Sequence, residues 1–193
     1  EYYNMSTDIF VVDTQWLIER LEEEAQKEHP EKLRYVLRDL AAESGAFAYE
    51  YTGYLANIHS VETYYQANID MLDLHKFYSL FSPNQKIHTK VKNEEPTYYA
   101  PGCEVNTSQF ASGSIVEGKV VRSVVSRNVQ IHKDSLVKES IVFPRVVIGE
   151  GAQVEYAIID KGAEVADGVV IRGTADHPVI IKKGEKVTED ILS

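Results

Sequence analysis

Cysteine is almost absent from this 193-residue chain: Cys103 stands alone. An intrachain disulfide and a cysteine-built zinc cluster are both excluded. No apolar run approaches the ~20 residues that a membrane-spanning helix needs, so no membrane partner is expected. The chain opens Glu1-Tyr2-Tyr3 with no signal peptide. Without an initiator Met it reads as a processed or shortened polypeptide. A reducing, cytoplasmic setting is the expectation. Positive charge is also scarce, with 20 Lys+Arg against 30 Asp+Glu and a formal net charge of -10. Nonspecific nucleic-acid binding needs a basic footprint, so that class is excluded as well.

What is present changes along the chain, whose length fits one large domain or two small ones. Residues 1–82 hold 15 acids and 6 bases, whereas residues 83–193 hold 15 and 14. The apolar alphabet switches too: nine Leu and four Val in residues 1–82, but one Leu, 17 Val and 9 Ile in residues 103–187. Leu packs readily on helices, while β-branched side chains suit a pleated surface. The prediction is an α/β piece over 1–82, a linker over 83–96 and an all-β piece over 97–193.

In the first piece, Asp8 to Val12 reads as a short buried strand. Asp13 or Thr14 caps a helix with Trp16, Leu17, Leu21 and Ala25 at helical spacing. Glu22-Glu23-Glu24 reads as a solvated helix face, since carboxylates pointing around a helix do not converge on a metal. Pro30 opens a second helix with Leu33, Val36, Leu37 and Leu40 on one face. Strands are expected at Phe47 to Tyr51 and Tyr54 to Ile58. Ser60 caps a third helix through Leu72, and a short helix follows from His75 to Phe81. In the linker, Lys86, His88, Lys90 and Lys92 alternate. On an extended segment they share one face, a solvated edge or an anion contact.

The second piece repeats itself. Ile131, Ile148 and Val165 are 17 residues apart, as are Val129, Val146 and Ala163. Ser123, Ser140 and Ala157 keep the same spacing, each followed by two aliphatics. Ser108 leads Ser123 by 15, so the first turn is short. A period of this length with small residues at fixed phases marks a β-helix, and repeating in register argues against a β-sandwich. One turn cannot bury its apolar face, but stacked turns form a continuous core. Ser123, Ser140 and Ala157 are expected at tight inward corners. Residues 103–187 fit five turns of 17, a prism roughly 24 Å tall. Its open ends need covers: the α/β piece at one end, and Lys182-Lys183-Gly184-Glu185-Lys186 at the other.

Taken together, the two pieces resemble the C-terminal portion of the glucose-1-phosphate adenylyltransferase (ADP-glucose pyrophosphorylase) family. The resemblance lies in Asn4 to Phe10, in Ser60 to Asn68, in Ile87-His88-Thr89-Lys90 with Glu95-Pro96-Thr97, and in Ser108 to Ile115, Ile158 to Lys161 and Gly184. It implies the remnant of a nucleotidyltransferase domain followed by a left-handed parallel β-helix of the hexapeptide-repeat type. It also implies a role in glycogen biosynthesis. The family's Trp-Arg-Asp-Val-Gly-Thr strand corresponds to Leu55-Ala56-Asn57-Ile58-His59-Ser60. The family aspartate is a magnesium ligand; Asn57 replaces it with an uncharged amide, a weaker donor for a hard cation. Ala56 removes a positive charge, and His59 replaces a glycine at a close approach. Asn4 and Ser6 stand where the family has the Ser and Gly that flank the sugar pocket. This degenerate pattern resembles the noncatalytic GlgD-type subunit, which pairs with a catalytic GlgC-type partner. No catalytic or metal-binding residue is therefore expected in this chain, Mg2+ being implied only for the intact catalytic complex. A hetero-oligomer with that partner is expected. So is self-association, or packing of the first piece on the chain's own β-helix, because a partial sheet leaves edges and apolar faces uncovered.

Two rival readings remain open at this point. One is a fragment of an active glucose-1-phosphate adenylyltransferase. The other is a hexapeptide-repeat acyltransferase, which needs a basic His near a cofactor cleft; His132 and His177 are the candidates. Gly113 and Gly118-Lys119 match a phosphate-loop spacing, but Val120 stands where that loop needs Ser or Thr for magnesium. Lys86, Lys90, Lys92, Lys182 and Lys183 are the possible effector or anion contacts. Cys103 has no His/Asp arrangement around it and reads as a strand-entry residue.

Overall fold

The computed structural model describes every residue except 1–5, 8, 44, 83, 85, 86 and 91. The described chain forms two compact units, Glu1–Thr52 and Gly53–Ser193.

The first unit contains α1 (Thr14–Ala25) and α2 (Leu33–Glu43). Asp13 caps α1 as expected, accepting the Trp16 N–H at 2.9 Å. Glu24 departs from the solvated-face reading, because it is buried. Its carboxylate accepts the Glu31 N–H at 2.8 Å and pairs with Lys27, folding the helix exit back on α1. The Glu31 hydrogen bond, then Lys27, holds the carboxyl below its ordinary pKa. Val36 is the one buried hydrophobic residue among the described residues of this unit.

Of the segments expected as strands, Asp8 to Val12, 47–51 and 54–58, Asp8 lies outside the described residues and the rest carry no ladder. Alternation gives a segment a strand's face, but only a hydrogen-bonded neighbour makes it a strand. Apart from the half-buried Phe10 and Tyr54, the large apolar side chains there stay exposed, fully so at Val11 and Phe47.

The second unit opens with α3 (Val61–Ile69), a turn of 3-10 helix (Asp70–Leu72) and α4 (Leu74–Leu80). From Tyr98 onward the chain winds into a parallel β-helix with three faces. The first face stacks Tyr98–Tyr99, Ile115–Val116, Gln130–Ile131, Val147–Ile148, Glu164–Val165 and Lys186–Val187. The second stacks Glu104–Asn106, Lys119–Val121, Leu136–Lys138, Gln153–Glu155, Val170–Arg172 and Ile191–Leu192. The third stacks Gln109–Phe110, Val124–Val125, Ile141–Val142, Ala157–Ile159 and Val179–Ile181. Two faces thus have six strands rather than five, because Tyr98–Tyr99 and Ile191–Leu192 extend the stack at its ends.

The 17-residue register holds through the middle, with Gln130 beside Val147 and Val147 beside Glu164. The last coil is longer: Ala157 pairs with Val179, 22 residues on. The extra residues form the loop after Arg172, closed by Thr174 N–H to His177 O (3.1 Å) and His177 N–H to Thr174 Oγ1 (3.1 Å).

One corner explains the small residues. Ser123 and Ser140 are fully buried. Each serine hydroxyl donates to the carbonyl two residues back, Ser123 to Val121 (2.8 Å) and Ser140 to Lys138 (2.7 Å). Each also accepts the N–H at the same phase one coil on: Ser140 N to Ser123 Oγ and Ala157 N to Ser140 Oγ, both at 3.1 Å. Arg122, Glu139 and Tyr156 precede this ladder with φ of 45°, 47° and 50°, a left-handed conformation rare for residues with a side chain. The tight turn thus has a hydroxyl to satisfy the backbone that it exposes.

Inward Val and Ile fill the prism, with Val116, Val120, Ile131, Val142 and Ile159 among its core residues. A second cluster lies outside it. Ile141 and Ile158 point outward from the third face and pack against Tyr65 and Ile69 of α3. Within this unit the helices therefore lie on a flank of the β-helix, not across an end. The face that carries outward isoleucines is the one that must be covered.

Candidate functional site

The segment before α3 holds three of the positions singled out from the sequence. Ala56, Asn57 and His59 are all exposed. Ser60 caps α3 with a reciprocal box: its Oγ accepts the Thr63 N–H (3.3 Å) while Thr63 Oγ1 accepts the Ser60 N–H (3.0 Å). The same Thr63 hydroxyl accepts the His59 N–H at 3.1 Å, and His59 Nδ1 lies 3.2 Å from the Asn57 carbonyl. Asn57, His59 and Ser60 are thus brought together at the helix start. Glu62 titrates below the usual carboxylate range, mainly through the Ser60 hydroxyl, with the His177 and His59 imidazoles adding to it.

Upstream, Tyr54 fixes the start of the segment. Its N–H donates to Ser79 Oγ (2.9 Å) and its hydroxyl to Asp70 Oδ2 (3.1 Å). Asp70 also accepts from Gln66 (2.9 Å) and pairs with Lys76 (2.7 Å). Burial opposes ionisation of Asp70, but the bonds from Lys76, Gln66 and Tyr54 outweigh it and lower its pKa. Burial, then the Asp70 bond, pushes the Tyr54 phenol up to about 12.

Between α3 and the β-helix runs an apolar groove of about 560 Å³. Ile58, Val61 and Tyr64 line one wall and Phe143, Ile158 and Ile180 the other, with His59, Ser60 and Asp160 as polar members. Ile180 continues the Ile141–Ile158 ladder but is 49% exposed.

The remaining candidates are dispersed. Asn4 and Lys86 lie outside the described residues. Ser6 is exposed and belongs to the first unit. Lys90 and Lys92 are exposed before the β-helix, while Lys182 and Lys183 are exposed in the turn after Val179–Ile181. Lys186, on an edge strand, pairs with Glu164 at 2.9 Å. His132 Nδ1 lies 3.3 Å from Glu117 Oε2, and His177 belongs to the last-coil loop. Gly118 serves packing: a Cβ there would lie 2.7 Å from the His132 carbonyl.

A magnesium ion does not fit the 55–60 segment. Leu55 to Ser60 contains no carboxylate. Among the described residues, no group of three or more His, Cys, Asp or Glu side chains is placed to hold a metal. No described helix is long and apolar enough to cross a membrane.

Comparison with known proteins agrees with this architecture. Residues 95–190 match the GlmU-like C-terminal hexapeptide family, whose repeat fits a left-handed coil. The chain is 32% identical over 136 residues to the glycogen biosynthesis protein GlgD of Bacillus subtilis, covering 70% of this chain and 40% of that protein. It is 28% identical over 178 residues to a glucose-1-phosphate adenylyltransferase of Corynebacterium jeikeium, covering 84% and 44%. To that of Bacillus mycoides it is 31% identical over 140 residues, covering 72% and 37%. The chain is thus a hexapeptide-repeat β-helix protein preceded by a helical segment. Over most of its length its homologues are GlgD and glucose-1-phosphate adenylyltransferases, and it spans about two-fifths of the length of these relatives.

Proposed function

We propose that this chain is part of a noncatalytic, regulatory subunit of ADP-glucose pyrophosphorylase in glycogen biosynthesis. In complex with a catalytic GlgC-type subunit it would support the conversion of ATP and glucose 1-phosphate to ADP-glucose and pyrophosphate. The observation that carries this reading is Asn57. Phosphoryl transfer depends on positioning and charge neutralisation, and the segment that should present a hard-cation ligand presents an amide, an Ala and a His. Magnesium then belongs to the partner's site. The exposed Lys90, Lys92, Lys182 and Lys183 are proposed anion or effector contacts, and the exposed aromatic and aliphatic side chains of 47–58 support association. The cytoplasm is the setting for such a complex.

The test is assembly. A full-length protein carrying this sequence, mixed with a catalytic GlgC-type subunit, should elute as a hetero-oligomer by light scattering and change the effector response of pyrophosphate release. Two separate elution peaks with unaltered kinetics would overturn the reading. The second reading, a portion of an active enzyme, draws on the adenylyltransferase match over 84% of the chain.

A further inference from the structure

We propose that Tyr65 is a positioning residue. Through α3 it ties the Asn57–Ser60 segment to the Arg122–Glu139 corner of the β-helix, so that the corner sets where that segment stands. This inference does not depend on the functional reading above.

The chain of contacts is continuous. At the corner, Arg122 Nε holds the Glu139 carboxylate at 2.6 Å, and the Glu139 N–H donates to the Val121 carbonyl at 3.0 Å. With φ at 47°, Glu139 is in a conformation that persists only where surrounding bonds hold it. Its carbonyl accepts the Tyr65 hydroxyl at 2.7 Å. Tyr65 is 2% exposed, and its ring packs in the cluster with Ile141 and Ile158. Its phenol pKa is raised, first by burial and then by the Glu139 charge. One helical turn back lies the Ser60–Thr63 box, whose Thr63 hydroxyl accepts the His59 N–H, and the His59 ring meets the Asn57 carbonyl. Every link is covalent or hydrogen-bonded. The groove follows from the same geometry: one wall stands on α3 and the other on the β-helix, so the Tyr65 bond also fixes its width.

Plain packing would hold α3 equally well without the hydroxyl, and the two accounts separate in the folded protein. Hydrogen exchange is read at the amides of residues 59–65 and, as reference, at Gln130–Ile131 and Val147–Ile148. Tyr65→Phe keeps the ring and removes the bond; exchange at 59–65 should quicken about five- to tenfold, the reference strands staying unchanged. Arg122→Gln should quicken the same amides by less, and Arg122→Lys should restore them. The double variant Tyr65→Phe/Arg122→Gln should match Tyr65→Phe alone, since both act through one bond. Unchanged exchange at 59–65 in Tyr65→Phe, or equal acceleration in the reference strands, would overturn the proposal. So would additive effects in the double variant. Should Tyr65→Phe fail to fold, an Arg122→Gln protein with unaltered exchange at 59–65 would overturn it as well.

Discussion

Ser140→Ala removes one hydroxyl from the corner ladder. Ser140 is fully buried. Its Oγ gives one hydrogen bond to the Lys138 carbonyl and takes one from the Ala157 N–H. The two losses differ. The Lys138 carbonyl keeps a second donor, the Tyr156 N–H at 3.1 Å, so that side costs no more than an ordinary bond, about 1 kcal/mol. The Ala157 N–H is left buried with no acceptor, at about 1–3 kcal/mol. The expected loss is about 2 kcal/mol, or about 4–8 °C in midpoint for a unit of this size. Urea and thermal unfolding followed by circular dichroism measure it. Lys183→Ala, at an exposed turn, serves as the control and should stay within about 0.5 kcal/mol of the parent. A Ser140→Ala loss no larger than that control would refute the idea that the hydroxyl, rather than small size, selects serine at this corner.

Gly149→Ala should cost about 1–3 kcal/mol, because a Cβ there would lie 2.6 Å from the Asp167 nitrogen and 2.7 Å from the Ala166 carbonyl carbon; the same unfolding curves report it. Asp70 has a lowered pKa, so its contribution is present above the unfolded value of about 4 and is lost as pH falls through the folded one. Asp70→Asn should flatten that acid limb. Tyr54, pushed up to about 12, contributes stability that is full below the unfolded value near ~10 and lost as pH rises through the folded one. Tyr54→Phe should remove that alkaline loss, read by unfolding between those limits. Isothermal titration of MgCl2 into the chain should show no site, and stoichiometric heat abolished by Asn57→Ala would contradict the misfit at that segment.

The repeat was the most legible part, because each coil restates the same local problem. Ser123, Ser140 and Ala157 mark one corner three times, and the short first turn appears as the pairing of Gln109 with Val124, 15 residues apart. The last-coil loop was less visible, having no second copy for comparison. The caps at Asp13 and Ser60 follow local rules and needed nothing distant. The flank under α3 does carry a signal in the sequence. Paired aliphatics such as Ile141-Val142 and Ile158-Ile159 leave no polar partner for solvent, the mark of a strand covered on both sides. The segments around Val11 and Phe47 show the opposite limit, since sequence gives alternation but not a neighbour. At the site, Asn57 and His59 stood out through family resemblance. Tyr65 carries no signal in the sequence beyond its place in the third helix, because its acceptor lies 74 residues away. Asp70 had no sequence signal, as its three donors meet only once the helices pack.

Pyrophosphate release by a full-length protein carrying this sequence, purified without any partner and supplied with ATP, glucose 1-phosphate and Mg2+, tests the central claim most directly. The account predicts no turnover above the blank until a catalytic subunit is added. Sustained turnover by the lone protein would contradict it.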